Sequence, residues 1–122
     1  MPTLRLTTAV PAGSVVTNAM AGSKFEQLPF PASVAIYQTA SGTNITDGDV
    51  TCDVTMGNAI EGDQLSLPVV DAAVTGDNGP QRNRHLVASG VADAHDRIQI
   101  KLTNGDASNA AVVISLIEIR PV

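Results

Sequence analysis

Ile98, Ile100 and Leu102 alternate with Arg97, Gln99, Lys101 and Thr103, the period of two that gives a β-strand one apolar and one polar face. The turn-rich stretch Asn104-Gly105-Asp106-Ala107-Ser108-Asn109 follows. Ala111 to Ile119 is then β-branched and nearly continuously apolar, as a strand in the middle of a sandwich is. This pattern predicts a hairpin with a long loop, against which the rest of the chain packs.

The same period recurs upstream. Thr3 to Val10 reads as a short strand ended by Pro11-Ala12-Gly13-Ser14, a tight turn, and Val15-Val16-Thr17 resumes extended structure. Asn18 to Ser23 is a small-residue linker, and Lys24 to Leu28 fits a strand or a turn of helix. Pro29 and Pro31 hold an extended corner around Phe30. Ser33 to Thr39 has Val34 and Ile36 on one face, with Ala35 and Tyr37 on the other. Asp49 to Met56 alternates best, with Val50, Cys52, Val54 and Met56 inward and Thr51, Asp53 and Thr55 outward. Gly57 to Asp63 reads as a turn, Gln64 to Val70 as a strand that Pro68 assigns to an edge or bulge, 75–84 as an exposed loop, and His85 to Ala92 as a further strand.

About eight short strands at spacings near ten residues, with no sustained helical period, predict an all-β fold: a single antiparallel β-sandwich domain spanning residues 1–122. Jelly-roll topology is favoured over the immunoglobulin class, because the Cys…Trp…Cys spacing is missing and eight strands with long loops suit two Greek keys. Residues 1–16 form a candidate N-terminal arm that could add to a neighbour's sheet edge.

Length and charge narrow the function. A chain of 122 residues buries enough surface for a core without metals or disulfides. Seven Lys and Arg against twelve Asp and Glu give a formal charge of −5, with the cations scattered, which argues against nucleic-acid binding. Two Phe, one Tyr and no Trp leave little stacking surface for sugars or single strands. The N-terminus lacks the pattern of a signal peptide and no segment approaches a membrane span, so a soluble protein made in the cytoplasm is expected.

Candidate chemistry is sparse. Asp93-Ala94-His95-Asp96, with His85 one strand earlier and Asp77 in the preceding loop, could present metal donors, but the spacing matches no zinc motif; a solvated turn is the expectation. Asp47-Gly48-Asp49 and Glu61-Gly62-Asp63 flank one strand at opposite ends, too far apart for a shared calcium, and read as turn residues. Ser89 with His85 or His95 contains the residue types of a nucleophile and base, but no Gly-x-Ser-x-Gly elbow or phosphate loop accompanies them. Arg82 and Arg84, beside Gln81 and Asn83, could dock a carboxylate-bearing partner. Asn44-Ile45-Thr46 fits a glycosylation acceptor, which carries little weight without a secretory signal. Cys52 reads as a small core residue. No catalytic, cofactor or metal residues are therefore assigned, and neither an enzyme nor a cofactor is expected.

In its Ala/Thr/Gly/Val-rich strands, its Leu28-Pro29-Phe30-Pro31 corner, its scarcity of aromatics and its closing strand Ala111 to Ile119, the chain resembles the small β-sandwich structural proteins of bacteriophage particles, such as decoration proteins and head-spike bases. The resemblance implies a non-catalytic virion protein that forms a homo-oligomer, a trimer or larger, and binds capsid protein, without nucleic-acid or membrane contacts. The alternatives are a small ligand- or glycan-binding adhesion sandwich, using loops 75–84 and 104–109, and a cupin-like metal enzyme built around His85 and His95.

Overall fold

The computed structural model describes residues 3–23, 26–42, 44–45, 48–57, 59–69 and 85–121. Eight strands follow in order: β1 (Thr3–Val10), β2 (Val15–Val16), β3 (Ala32–Ser41), β4 (Val50–Met56), β5 (Ala59–Ser66), β6 (Leu86–Ala92), β7 (Ile98–Asn104) and β8 (Ala111–Pro121). They form two four-stranded sheets of order β1-β8-β3-β6 and β2-β7-β4-β5, antiparallel throughout. The pairs β1–β8, β2–β7, β3–β6 and β4–β5 are the four rungs of one long hairpin of the whole chain. The pairs β3–β8 and β4–β7 appear when that hairpin is rolled up. This is the jelly-roll arrangement of an eight-stranded sandwich, as the spacing of the strands predicts.

The predicted hairpin of the last two long strands does not form. β7 pairs with β2 and β4, whereas β8 pairs with β1 and β3, so the two lie in opposite sheets. Both are apolar on the inward side, and packing face to face across the core buries Ile98, Ile100 and Leu102 together with Val113, Ile117 and Ile119, all at zero exposure. The loop at 105–110 is the crossing. Asn104 holds it: the side-chain Nδ2 donates to the carbonyls of Val10, Pro11 and Asn109 at 3.3, 3.4 and 2.9 Å, and Oδ1 accepts from the Asp106 amide at 2.9 Å. Asp106 in turn accepts from the amides of Ser108 and Asn109 and from the Asn109 side chain.

Inward assignments elsewhere follow the period of two. Val50, Cys52, Val54 and Met56 are buried, and so are Val34 and Ile36, while Ala35 and Tyr37 face out. The turn expected over Gly57 to Asp63 is shorter than that: β5 already begins at Ala59, and Glu61 and Asp63 belong to a strand. Gly57, at φ +64°, makes the left-handed step of a tight hairpin, so the chain reverses within about two residues. The glycines and acids beyond it belong to an irregular edge strand with register shifts against β4 at Cys52/Val54 and Val54/Thr55. Beyond β5 the chain crosses sheets, and Val69 bridges in parallel to Ala40 of β3.

Of the candidate arm, residues 3–10 pair along their length with β8 of the same chain, and Val15–Val16 pair with β7 of the other sheet. The linker at Asn18 to Ser23 is more than a spacer, because Met20 is fully buried and the Asn18 side chain accepts from the amides of Met20 and Ile100. Its Nδ2 donates to Glu26, which also pairs with Arg97 at 3.5 Å.

Two outcomes test this packing. Ile117→Ala, facing inward, should lower stability by about 2–5 kcal/mol at any protein concentration, whereas Leu116→Ala, facing outward, should cost the dilute protein about 1 kcal/mol or less, both read by chemical denaturation. Asp106 has its carboxyl pushed below the ordinary 3.8, first by the Ser108 amide and then by the Asn109 side chain. A lowered folded value means that the ionised form stabilises the fold above the unfolded value and that this support is lost as pH falls through the folded one. The difference in melting temperature between wild type and Asp106→Asn should therefore be largest near neutrality and shrink below pH 3.8.

Candidate functional site

The outer faces of the two sheets differ in kind. On the β2-β7-β4-β5 sheet the central strands show solvent Gln99, Lys101 and Thr103 beside Thr51, Asp53 and Thr55, with Asp53 directly opposite Lys101 and Thr55 hydrogen-bonded to Gln99. This is the wet face that the alternation predicts. On the β1-β8-β3-β6 sheet, β8 turns Val112, Ile114 and Leu116 outward and β3 adds Ala35 and Tyr37. The register sets Leu116 against Tyr37, and Tyr37 against Leu86 of β6, in one apolar row across three strands. Leu86 is 55% exposed and Val91, at the other end of β6, is 57% exposed. A β-bulge in β6 at Val87, opposite Ile36/Tyr37, lets Leu86 point outward while Val87 packs against the core.

At the end of this face lies an open groove of about 240 Å³ lined by Ser33, Ala35, Tyr37, Glu118 and Arg120. Sheet register assembles it: Ser33 opposes Arg120, Ala35 opposes Glu118, and alternate positions on each strand share the face. Glu118 is only 5% exposed, while Arg5 of β1, diagonal to it, and Arg120, two residues along, bring positive charge to both sides. The groove thus offers an aromatic ring, a hydroxyl, a carboxylate and a guanidinium, the means of holding a polar or apolar side group by shape and hydrogen bonding. It contains no histidine or cysteine to act as base or nucleophile.

The residues considered for chemistry do not converge. His85 and His95 stand at the two ends of β6, a seven-residue strand and so roughly 23 Å long. His85 is buried and its carbonyl accepts from the Gln38 amide; His95 is exposed in the following turn, at φ +68°, its amide bonded to the Leu28 carbonyl at 2.7 Å. Ser89 points to solvent from the middle of β6. Asp96 caps its own turn by accepting from the Asp93 amide at 3.1 Å, and its carboxylate occupies the space that a side chain at Gly57 would need. Among the described residues no group of three or more His, Cys, Asp or Glu could hold a metal ion. Asn44 is exposed and Ile45 buried. Asp47, Thr46, Asp77, Gln81, Arg82, Asn83 and Arg84, and with them the loop at 75–84, lie outside the described residues.

Two features escaped the sequence pattern. The groove residues are scattered over β3 and β8 and only the antiparallel register brings them together. Gln38 continues the inward side of β3 after Val34 and Ile36, fully buried, and donates to Ser115 Oγ at 2.9 Å. Its inward polarity is signalled only by the alternation that also places Val34 and Ile36 inside.

No protein-family model matches this chain, and a search of curated proteins finds no match to it.

Cys52 lies against this buried polar pair. Burial first, and the nearby Asp53 charge second, push its thiol up from an ordinary 9.0 to about 12, with the Gln38 side chain opposing. A raised folded value means that the neutral thiol's contribution is fully present below the unfolded value and is lost as pH rises through the folded one. Wild type should therefore lose stability between about pH 9 and 12 in excess of Cys52→Ala, and native Cys52 should alkylate far more slowly than in urea.

Proposed function

We propose that this protein is a non-enzymatic structural component of a bacteriophage particle, a capsid decoration or a vertex or head-spike component, which self-associates and binds capsid protein. The observation that carries this reading is the asymmetry of the central strands of the two sheets: β4 and β7 turn Thr, Asp, Gln and Lys to solvent, whereas β8 and β3 turn out Val112, Ile114, Leu116 and Tyr37, a row that Leu86 of β6 extends; on the other sheet the exposed apolar residues Val15 and Ile60 stand apart on its two edge strands. A contiguous apolar patch rimmed by polar residues marks a contact surface rather than a solvent face. A jelly roll suits such a role because its sheets are stiff and its connections all lie at the two ends, leaving a flat face for a neighbour; capsid proteins use this architecture. The style resemblance to particle proteins points the same way.

One observation favours a second reading, a ligand- or glycan-binding adhesion sandwich. The groove beside Tyr37 combines an aromatic ring with Ser33, Glu118 and Arg120, groups that recognise hydroxyls and rings.

The readings separate by experiment. Antiserum against the chain should label purified particles of the virus that encodes it, and the protein should travel with them through a density gradient. A chain left entirely at the top of the gradient, yet retained by a glycan array and released from it by Tyr37→Ala, would replace the particle reading with the adhesion one.

A further inference from the structure

The outer face of the β1-β8-β3-β6 sheet combines exposed apolar side chains with a groove. Its exposed apolar side chains and its groove lie side by side: Val91 of β6 stands opposite Ser33, which lines the groove, and Leu86 stands opposite Tyr37, which lines it too. A two-fold axis through β3 would lay the projecting Val91 or Leu86 of one copy over the groove of the other, and the reverse, as an isologous contact requires. The groove's 240 Å³ is ample for a branched aliphatic side chain.

Electrostatics select the same surface. Two chains of charge −5 repel, and they meet at least cost where negative charge is sparsest. Among the described strand residues of this face Glu118 is the one acid, against the exposed Arg5 and Arg120. Four strands about 4.8 Å apart and seven to eleven residues long present a projected face of roughly 500 Å², and the relief of projecting side chains brings this toward the ~800 Å² of accessible surface that each partner of a standard interface buries.

We infer that the outer face of the β1-β8-β3-β6 sheet, centred on Leu116, Tyr37, Leu86 and Val91, is the surface through which one copy of this chain binds a second. The inference rests on the self-association contained in the particle reading and assigns one two-fold contact within that assembly to this face.

The test compares Leu86→Asp and Val91→Asp with Ile60→Asp. All three positions are largely exposed, at 55%, 57% and 72%, so the fold should survive each change, which circular dichroism verifies; Ile60 is on the opposite sheet and serves as control. Sedimentation equilibrium of the wild type should give an oligomer. Each β6 variant should raise its dissociation constant about thirtyfold or more, the loss of a contact worth roughly 2 kcal/mol at 1.4 kcal/mol per decade, and Ile60→Asp should leave it unchanged. A wild-type oligomer that all three variants leave intact, or that only Ile60→Asp weakens, overturns the assignment of the face while leaving the particle reading in place. A wild type that remains monomeric up to its solubility limit overturns both the inference and the self-association in that reading.

Discussion

The fold depends on β8 being paired on both sides. Eight residues of β1 and ten of β3 are in register with it, so this strand organises one whole sheet and has no backbone edge to offer solvent. A central strand packs one face on the core, and here both faces are apolar: Val113, Ile117 and Ile119 inward, Val112, Ile114 and Leu116 outward. The inward set is explained by the opposing strand β7 and its Ile98, Ile100 and Leu102. The outward set is not explained by any requirement of the sandwich, since the matching central strands of the other sheet, β4 and β7, turn polar residues outward. That surplus of apolar residues on a central strand is what ties the packing of this molecule to the contact surface proposed above.

The crossings between the sheets are held by polar side chains rather than by helices or disulfides. Asn104, 1% exposed, satisfies three carbonyls and one amide where the chain leaves β7, and Asn18 accepts from two amides where it leaves β2. A buried amide side chain left unpaired costs several kcal/mol, so each is tolerable only because its partners are arranged to meet it. Gly42 fits the same logic at the end of β3: a side chain there would begin 2.6 Å from the Ala110 carbonyl oxygen, so the backbones of β3 and the start of β8 close together only with glycine.

Most of this fold was legible in the sequence, because period-two burial is a local property and the strands are long enough to display it. The inward faces of β3, β4 and β7 follow from it, while the number of strands and the length of the loops between them favour the jelly roll. Pairing is not local, which is why the adjacent strands β7 and β8 read as a hairpin although they belong to different sheets; a six-residue loop is compatible with either, and only the burial of two apolar faces against each other decides. The turn read over Gly57 to Asp63 failed for a different reason, since glycine and aspartate mark turns on average but also populate irregular edge strands such as β5. The groove was illegible because its residues are separated by about eighty positions and joined only by register, and the buried hydrogen bond of Gln38 because its partner Ser115 is just as remote in the chain.

Edges and faces compete as routes of association, and this molecule has closed most of its edges. β2 is two residues long; β5 is broken by two register shifts and carries Gly62, Asp63 and Gln64, the last at positive φ; β6 is bent by a bulge and contains Ser89-Gly90. Such short, bulged or charged edges are the usual means of discouraging a further strand from adding. β1 is the longest edge without a register shift, and its backbone is committed on one side to β8. With strand addition disfavoured at three of four edges, neighbours are steered toward the flat apolar face, where side chains rather than backbone groups make the contact. Side-chain contact is geometrically selective in a way that backbone pairing is not, and a particle protein that must occupy a fixed position in a closed assembly, rather than polymerise without limit, has physical reason to be built this way.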